Sequence, residues 1–267
     1  MKREDTVIIT DGRKINLATL EGFKAEDFDL GQIFECGQCF RWAVNDDGIW
    51  ETPEHIDDVR YYFDMDRDYG AIKKKLADGD PVMAKAIEAG SGIRILNQPK
   101  WDTLITFIIS QNNNIPRIRK CIFSLYDLFG HFPSPEELAS ASPDDLAPCR
   151  LGYRDKYLIE TAKMVAEEPD HLEKLYGAEV AFAVEELKKY PGVGPKVANC
   201  IALFCLGAFD SFPVDVWMKR VMNQLYGIPE NDVKAMHRYA CEHFAPYGGI
   251  AQQYLFYYIT HKGVDKP

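Results

Sequence analysis

The chain has 267 residues, 46% of them hydrophobic and 27% charged, with a formal net charge of −10. That length can bury one large or two modest cores, yet no apolar run approaches the ~18–20 residues of a membrane span and no signal h-region is seen. The seven cysteines (36, 39, 121, 149, 200, 205, 241) are odd in number and scattered, which argues for a reducing intracellular compartment and against a disulfide framework.

In chain order, residues 1–95 read as a mixed domain. Val7-Ile8-Ile9, a turn at Asp11-Gly12, Ile15–Leu17, Phe40–Trp42, Ile49-Trp50 and Val59–Tyr62 suggest short strands, with Asp46-Asp47-Gly48 as a hairpin turn. Ala71–Leu76 and Pro81–Glu88 read as helices. From Trp101 the apolar period becomes 3.6, through Leu104, Phe107, Ile108, Ile115, Ile118 and Ile122, and helices separated by Pro- and Gly-bearing turns continue to residue 263. Ser134-Pro-Glu-Glu-Leu and Ser142-Pro-Asp-Asp-Leu each predict an N-cap, Pro at the first helical position and acids in the first turn. The boundary therefore falls near residue 95, with 96–267 all helical.

The densest signal is Tyr190-Pro-Gly-Val-Gly-Pro-Lys196, flanked by apolar periodicity from Val180 to Leu187 and from Val197 to Phe204. Pro fixes φ, and glycines permit φ > 0 or a close backbone approach, so the segment predicts a helical hairpin over about 180–206. Bare amides of Gly192 and Gly194 at the start of the second helix form an anion site suited to one backbone phosphate. Lys196 lies in the first turn of that helix, and Phe212-Pro-Val-Asp215 follows, with Asp215 as the N-cap of a helix over Val216–Leu225. A lysine and a carboxylate beside a phosphate grip suggest chemistry on DNA. The acidic balance opposes such a partner. However, Arg117, Arg119, Lys120, Arg150, Arg154, Lys156, Lys188, Lys189, Lys196, Lys219 and Arg220 cluster between 117 and 220, which predicts one basic face on an acidic protein.

The hairpin-Lys…Pro-Val-Asp pattern resembles the helix-hairpin-helix DNA glycosylases. Cys36-Gly-Gln-Cys-Phe-Arg-Trp42, Ser110-Gln-Asn-Asn-Asn-Ile115 and Leu151-Gly-Tyr-Arg154 are similar to the 8-oxoguanine DNA glycosylase branch in particular. The resemblance implies an α+β fold: a twisted antiparallel N-terminal sheet domain packed on a two-lobed all-α domain, with the cleft between the lobes. It implies that Lys196 is the nucleophile and that Asp215 acts electrostatically and in proton handling. The Gly37 carbonyl would accept the N7–H that 8-oxoguanine has and guanine lacks. Cys200, Phe204, Gln252 and Phe256 would complete the base pocket. Asn112 would fill the gap left by the extruded base, Tyr153 would wedge the stack, and Arg117 and Arg154 would face the orphaned cytosine.

Taken residue by residue, plainer roles stay open. Lys196 can be a surface lysine touching phosphate, Asp215 only a cap, and Gly37 a strand-start bulge. Cys200 and Phe204 recur at one-turn spacing after Lys196, as Gln252 and Phe256 do on a helix over Ala251–Thr260, and such spacing also suits plain core. Asparagines form turns, and basic residues form solvated faces. The family often has methionine where this chain has Phe204, and histidine where it has Trp217.

The expected function is excision of 8-oxoguanine opposite cytosine followed by β-elimination through a Lys196 Schiff base. The expected partner is double-stranded DNA, with the protein monomeric and off the membrane. No redox cofactor or catalytic metal is expected: Cys36-x-x-Cys39 lacks a second Cys/His pair at zinc spacing, and no four-cysteine cluster suggests iron–sulfur. The alternatives are a glycosylase for alkylated or mismatched bases, or a DNA-binding module without catalysis. Compact length and the lack of a basic localisation tract favour a prokaryotic cytoplasm, with the nucleus the place in a eukaryote.

Overall fold

The computed structural model describes residues 5–10 and 12–261. Asp11 of the expected first turn lies outside them, while Gly12 holds φ +74° and donates its amide to the Ile9 carbonyl at 2.8 Å. The sheet is small: Thr6–Ile8 (β1), Lys14–Asn16 (β2), Ala43–Val44 (β3) and Trp50–Glu51 (β4), in the order β2-β1-β4-β3. The β1–β2 and β3–β4 pairs are antiparallel, whereas β1 and β4 run parallel. Gly48, at φ +74°, closes the β3–β4 hairpin by donating to the Asn45 carbonyl, and the Asn45 side chain accepts from the Asp47 and Ile49 amides.

The helices are Leu30–Glu35 (α1), Val59–Tyr62 (α2), Tyr69–Ala77 (α3), Pro81–Ala89 (α4), Lys100–Ser110 (α5), Ile115–Phe129 (α6) and Pro135–Ser140 (α7). They continue as Arg154–Glu167 (α8), His171–Lys174 (α9), Val180–Leu187 (α10), Pro195–Cys205 (α11), Val216–Tyr226 (α12), Val233–His243 (α13) and Gly248–His261 (α14). Capping explains most of their starts. Asp29, Asp58, Asp68, Asp80, Asn114, Ser134, Asp215 and Asp232 each accept a backbone amide from the first turn of the helix they precede.

Three local expectations are corrected. Val59–Tyr62 is a helical turn rather than a strand, because the Asp58 carboxylate takes the Tyr61 amide at 3.0 Å. Phe40–Trp42 is not a strand; pairing starts at Ala43. The Ser142 segment makes reciprocal bonds with Asp145 but no α-helix grows from it, since Pro148 has no N–H to continue the ladder and only a 3₁₀ turn over Ala147–Cys149 follows. The Ser134 segment, whose one proline sits at the first helical position, forms the full capping box with Glu137 and runs on as α7.

Two buried apolar clusters form. The smaller one unites Val7, Leu17, Ile33, Phe34, Trp42 and Phe63 under the sheet, with Phe34 and Trp42 stacked at 4.4 Å. The larger fills the helical part and includes Tyr69, Ile72, Met83 and Ile93. Thus α3 and α4 pack with the helical domain, α4 lying against α14, although chain order groups them with the sheet. Helix α11 packs on α5 and α10, and α14 on α12. These packings bring the hairpin, the start of α12 and the face of α14 to one place.

Candidate active site

The second hairpin helix begins at Gly194 (φ −88°), with Pro195 in its first turn, where an absent N–H costs nothing. The two hairpin glycines differ. Gly192 has φ +81°, and a Cβ there would lie 2.7 Å from Tyr157 Cδ2, so both its backbone and its surroundings demand glycine. Gly194 is exposed and has nothing within 4 Å of its Cβ position.

Along α11, Lys196, Cys200 and Phe204 do share a face, and all three line one cavity of about 50 Å³ with Cys36, Gly37, Pro213, Asp215, Gln252, Gln253 and Phe256. Every residue expected in catalysis or the base pocket is present, brought from four separate segments. The Lys196 amine lies 5.7 Å from the Phe107 ring centroid, and Phe107 stacks on Phe204 at 5.4 Å. One flank of the amine is therefore apolar. Asp215 caps α12 by accepting the Met218 amide at 2.8 Å, which fixes its carboxylate at the cavity wall.

The Gly37 turn is held in place by side chains that sequence reading passed over. Gly37 has φ +80°. The neighbouring Gln38 side chain, fully buried, donates to the Ile33 and Arg94 carbonyls at 2.9 and 2.7 Å and accepts the Leu96 amide at 2.9 Å. Gln98 then donates its side-chain amide to the Gln38 carbonyl (2.8 Å) and its backbone amide to the Phe204 carbonyl (3.2 Å). A relay of two glutamines ties the Gly37 turn to α11.

Burial pushes the Cys200 thiol up, against the pull of Lys196, and pushes the Cys36 thiol to about 12. Both are neutral, soft walls rather than nucleophiles. Phe256 stands against Gly37, since a Cβ on Gly37 would lie 3.4 Å from Phe256 Cε1. A cavity of this size holds a few waters, less than the volume of a purine. A larger cleft of about 510 Å³ opens elsewhere, lined by Tyr61, Asn97, Lys100, Trp101 and Glu173. Its lysine is engaged by Glu173 at 2.7 Å, and it gathers none of the expected chemistry.

The remaining expected residues surround the hairpin. Asn112 is exposed, at φ +45°, and Arg117 is exposed in the first turn of α6, its amide taken by the Asn114 side chain at 3.0 Å. Tyr153 is 52% exposed, and its ring meets Tyr157 edge-on at 5.8 Å, which continues the surface to Gly192. Arg154 departs from expectation. It is 3% exposed, and its guanidinium donates to the Gln111, Asn112 and Leu151 carbonyls. Instead of presenting a free fork to a base, it braces the loop that carries Asn112 in its left-handed conformation.

A family model described as HhH-GPD superfamily base excision DNA repair protein matches residues 105–246, and one for the 8-oxoguanine DNA glycosylase N-terminal domain matches residues 46–104. The chain is similar to the Clostridium acetobutylicum 8-oxoguanine glycosylase/lyase in complex with double-stranded DNA containing cytosine opposite 8-oxoG, with TM-score 0.82, 37% identity, and coverage of 90% of this chain and 94% of that one. It is 26% identical to a probable N-glycosylase/DNA lyase of Methanothermobacter thermautotrophicus, covering 87% of this chain and 86% of the relative. It is 39% identical to the Saccharomyces cerevisiae N-glycosylase/DNA lyase over 52% of this chain, which spans 43% of the yeast protein. With the hairpin, lysine and aspartate assembled at one cavity, the chain belongs to the 8-oxoguanine glycosylase/lyase branch of the HhH-GPD superfamily of base excision DNA repair proteins.

Proposed function

We propose that this protein removes 8-oxoguanine paired with cytosine from duplex DNA and then cleaves the abasic strand, acting as a monomer. The observation that carries the reading is the convergence of Lys196, Asp215, Gly37, Cys200, Gln252 and Phe256 on one cavity beside the hairpin. The Lys196 amine attacks C1′ of the extruded nucleotide, the C1′–N9 bond breaks, and the base leaves with a proton. Positive charge developing on the sugar faces the Asp215 carboxylate, which the Met218 amide already orients. The lysine–sugar imine makes the C2′ proton acidic, and its loss expels the 3′ phosphate by β-elimination.

Discrimination between 8-oxoguanine and guanine fits the Gly37 turn. Guanine would set its N7 lone pair against the Gly37 carbonyl, leaving two buried acceptors unpaired at a cost of about 1–3 kcal/mol. Tyr153, Asn112 and Arg117, all exposed, serve in this reading as the wedge, the gap filler and the reader of the orphaned cytosine. The amide of Gly194 takes a backbone phosphate without requiring a basic protein.

Strand nicking measured on duplexes with 8-oxoguanine opposite each of the four bases tests this reading. Cleavage fastest opposite cytosine, and weaker binding of the 7-deaza analogue that lacks N7–H, are expected. Equal binding of that analogue would remove Gly37 as the reader. Absence of cleavage on any 8-oxoguanine duplex would overturn the proposed substrate.

A further inference from the structure

Gln253 lines the same cavity as Lys196, yet it lies beside the one-turn spacing that relates Gln252 to Phe256. It is 3% exposed, and its Nε2 donates to Gln252 Oε1 at 2.7 Å. Its own Oε1 is buried with no hydrogen-bond partner among the described residues. Buried side-chain acceptors are nearly always paired, so an orphan in a ligand cavity marks a place where the ligand brings the donor. The bond between the two amides also orients Gln252: its oxygen is occupied, and its nitrogen is left as a donor. Side by side on α14, the pair offers one donor and one acceptor.

We infer that Gln253 is a specificity-determining residue whose Oε1 accepts a hydrogen bond from the Watson–Crick edge of the extruded base. A guanine-type edge presents the O6 acceptor beside the N1–H and 2-amino donors, and it complements this pair. An adenine-type edge reverses the order, placing an amine against the Gln252 nitrogen and a lone pair against Gln253 Oε1. Two unmatched contacts then replace two matched ones, so the glutamine pair rejects oxidised adenine while Gly37 rejects undamaged guanine. The inference rests on the proposed substrate, and deepens it by naming a second reader.

The experiment is single-turnover excision of 8-oxoguanine and of 8-oxoadenine, both opposite cytosine in one sequence context, by wild type, Gln253→Leu and Gln253→Glu. Both variants remove the donor to Gln252, leucine keeping the bulk without an acceptor and glutamate keeping an acceptor, so the difference between them isolates the acceptor. The wild-type preference for 8-oxoguanine is expected to fall about tenfold in Gln253→Leu, the size of one lost buried hydrogen bond, and by less in Gln253→Glu, which loses the bond to Gln252 but keeps an acceptor for the base. Equal slowing on both substrates, with an unchanged ratio, would show a packing role only and overturn the inference. No wild-type action on 8-oxoguanine would instead overturn the proposed substrate, an outcome visible before any variant is compared.

Discussion

Two polar clusters among the described residues are built on opposite principles. In the first, Arg41 joins the N-terminal part to α5: its guanidinium contacts Glu54 at 3.0 Å and Asp102, and the Tyr62 hydroxyl donates to Glu54 at 3.3 Å. The Arg41 Nη2–Glu54 Oε1 contact is an ion pair, and neither atom has a hydrogen-bond partner among the described residues. One cation meets two carboxyl groups from different parts of the chain. In the second, around Lys196 and Asp215, polar groups face a cavity and Gln253 Oε1 has no partner among the described residues. Buried charge alone therefore does not mark a site. A closed cluster holds domains together, whereas an open one has acceptors and donors left for a ligand.

Substitutions should separate the two clusters. Lys196→Gln should leave folding intact and lower strand cleavage by several orders of magnitude, read as single-turnover nicking with the melting temperature as control. Arg41→Met should do the reverse. It strands two buried carboxylates and should cost about 3–5 kcal/mol in urea unfolding, with activity retained in the fraction that folds. Asp215→Asn keeps an adequate helix cap and removes the charge, so it should slow base excision by about 10²–10³-fold while stability changes little. A large loss of stability with unchanged excision rate would reduce Asp215 to a cap.

The closed cluster should also titrate. Burial, opposed by Arg41 and reinforced by Asp102, pushes Glu54 from 4.5 up to about 7. The folded state then keeps a proton that the unfolded chain releases above pH 4.5, so this contribution is present at low pH and is lost as pH rises through about 7. Stability should fall by on the order of 1–3 kcal/mol across that window, and Glu54→Gln should flatten the profile. The smallest effect is expected at Gly194→Ala, within about 0.5 kcal/mol, because φ is −88° and the space is open. Gly192→Ala should destabilise far more, through its φ of +81° and the clash with Tyr157.

What was legible in the sequence follows a physical line. The hairpin, the Asp215 cap and the shared face of Lys196, Cys200 and Phe204 depend on spacing within a few residues, and local periodicity reports such relations directly. Arg154 could not be read that way. Its burial comes from carbonyls at Gln111 and Asn112, 43 and 42 residues earlier in the chain, and an arginine in a basic stretch looks the same whether it faces solvent or braces a loop. Gln38 and Gln98 were hidden for the same reason, since they act between segments. Val59–Tyr62 shows the other limit. Four β-branched, charged and aromatic residues suit a strand, and one aspartate cap decided for a helix. The parallel β1–β4 pair depends on a long crossover that strand-sized patterns do not encode.

Borohydride reduction of the enzyme–DNA intermediate, followed by mass mapping of the modified peptide, tests the central claim most directly. A single adduct on Lys196 is expected, formed with an 8-oxoguanine duplex and absent in Lys196→Gln. An adduct on another lysine or on the N-terminal amine, with wild-type yield in Lys196→Gln, would contradict it.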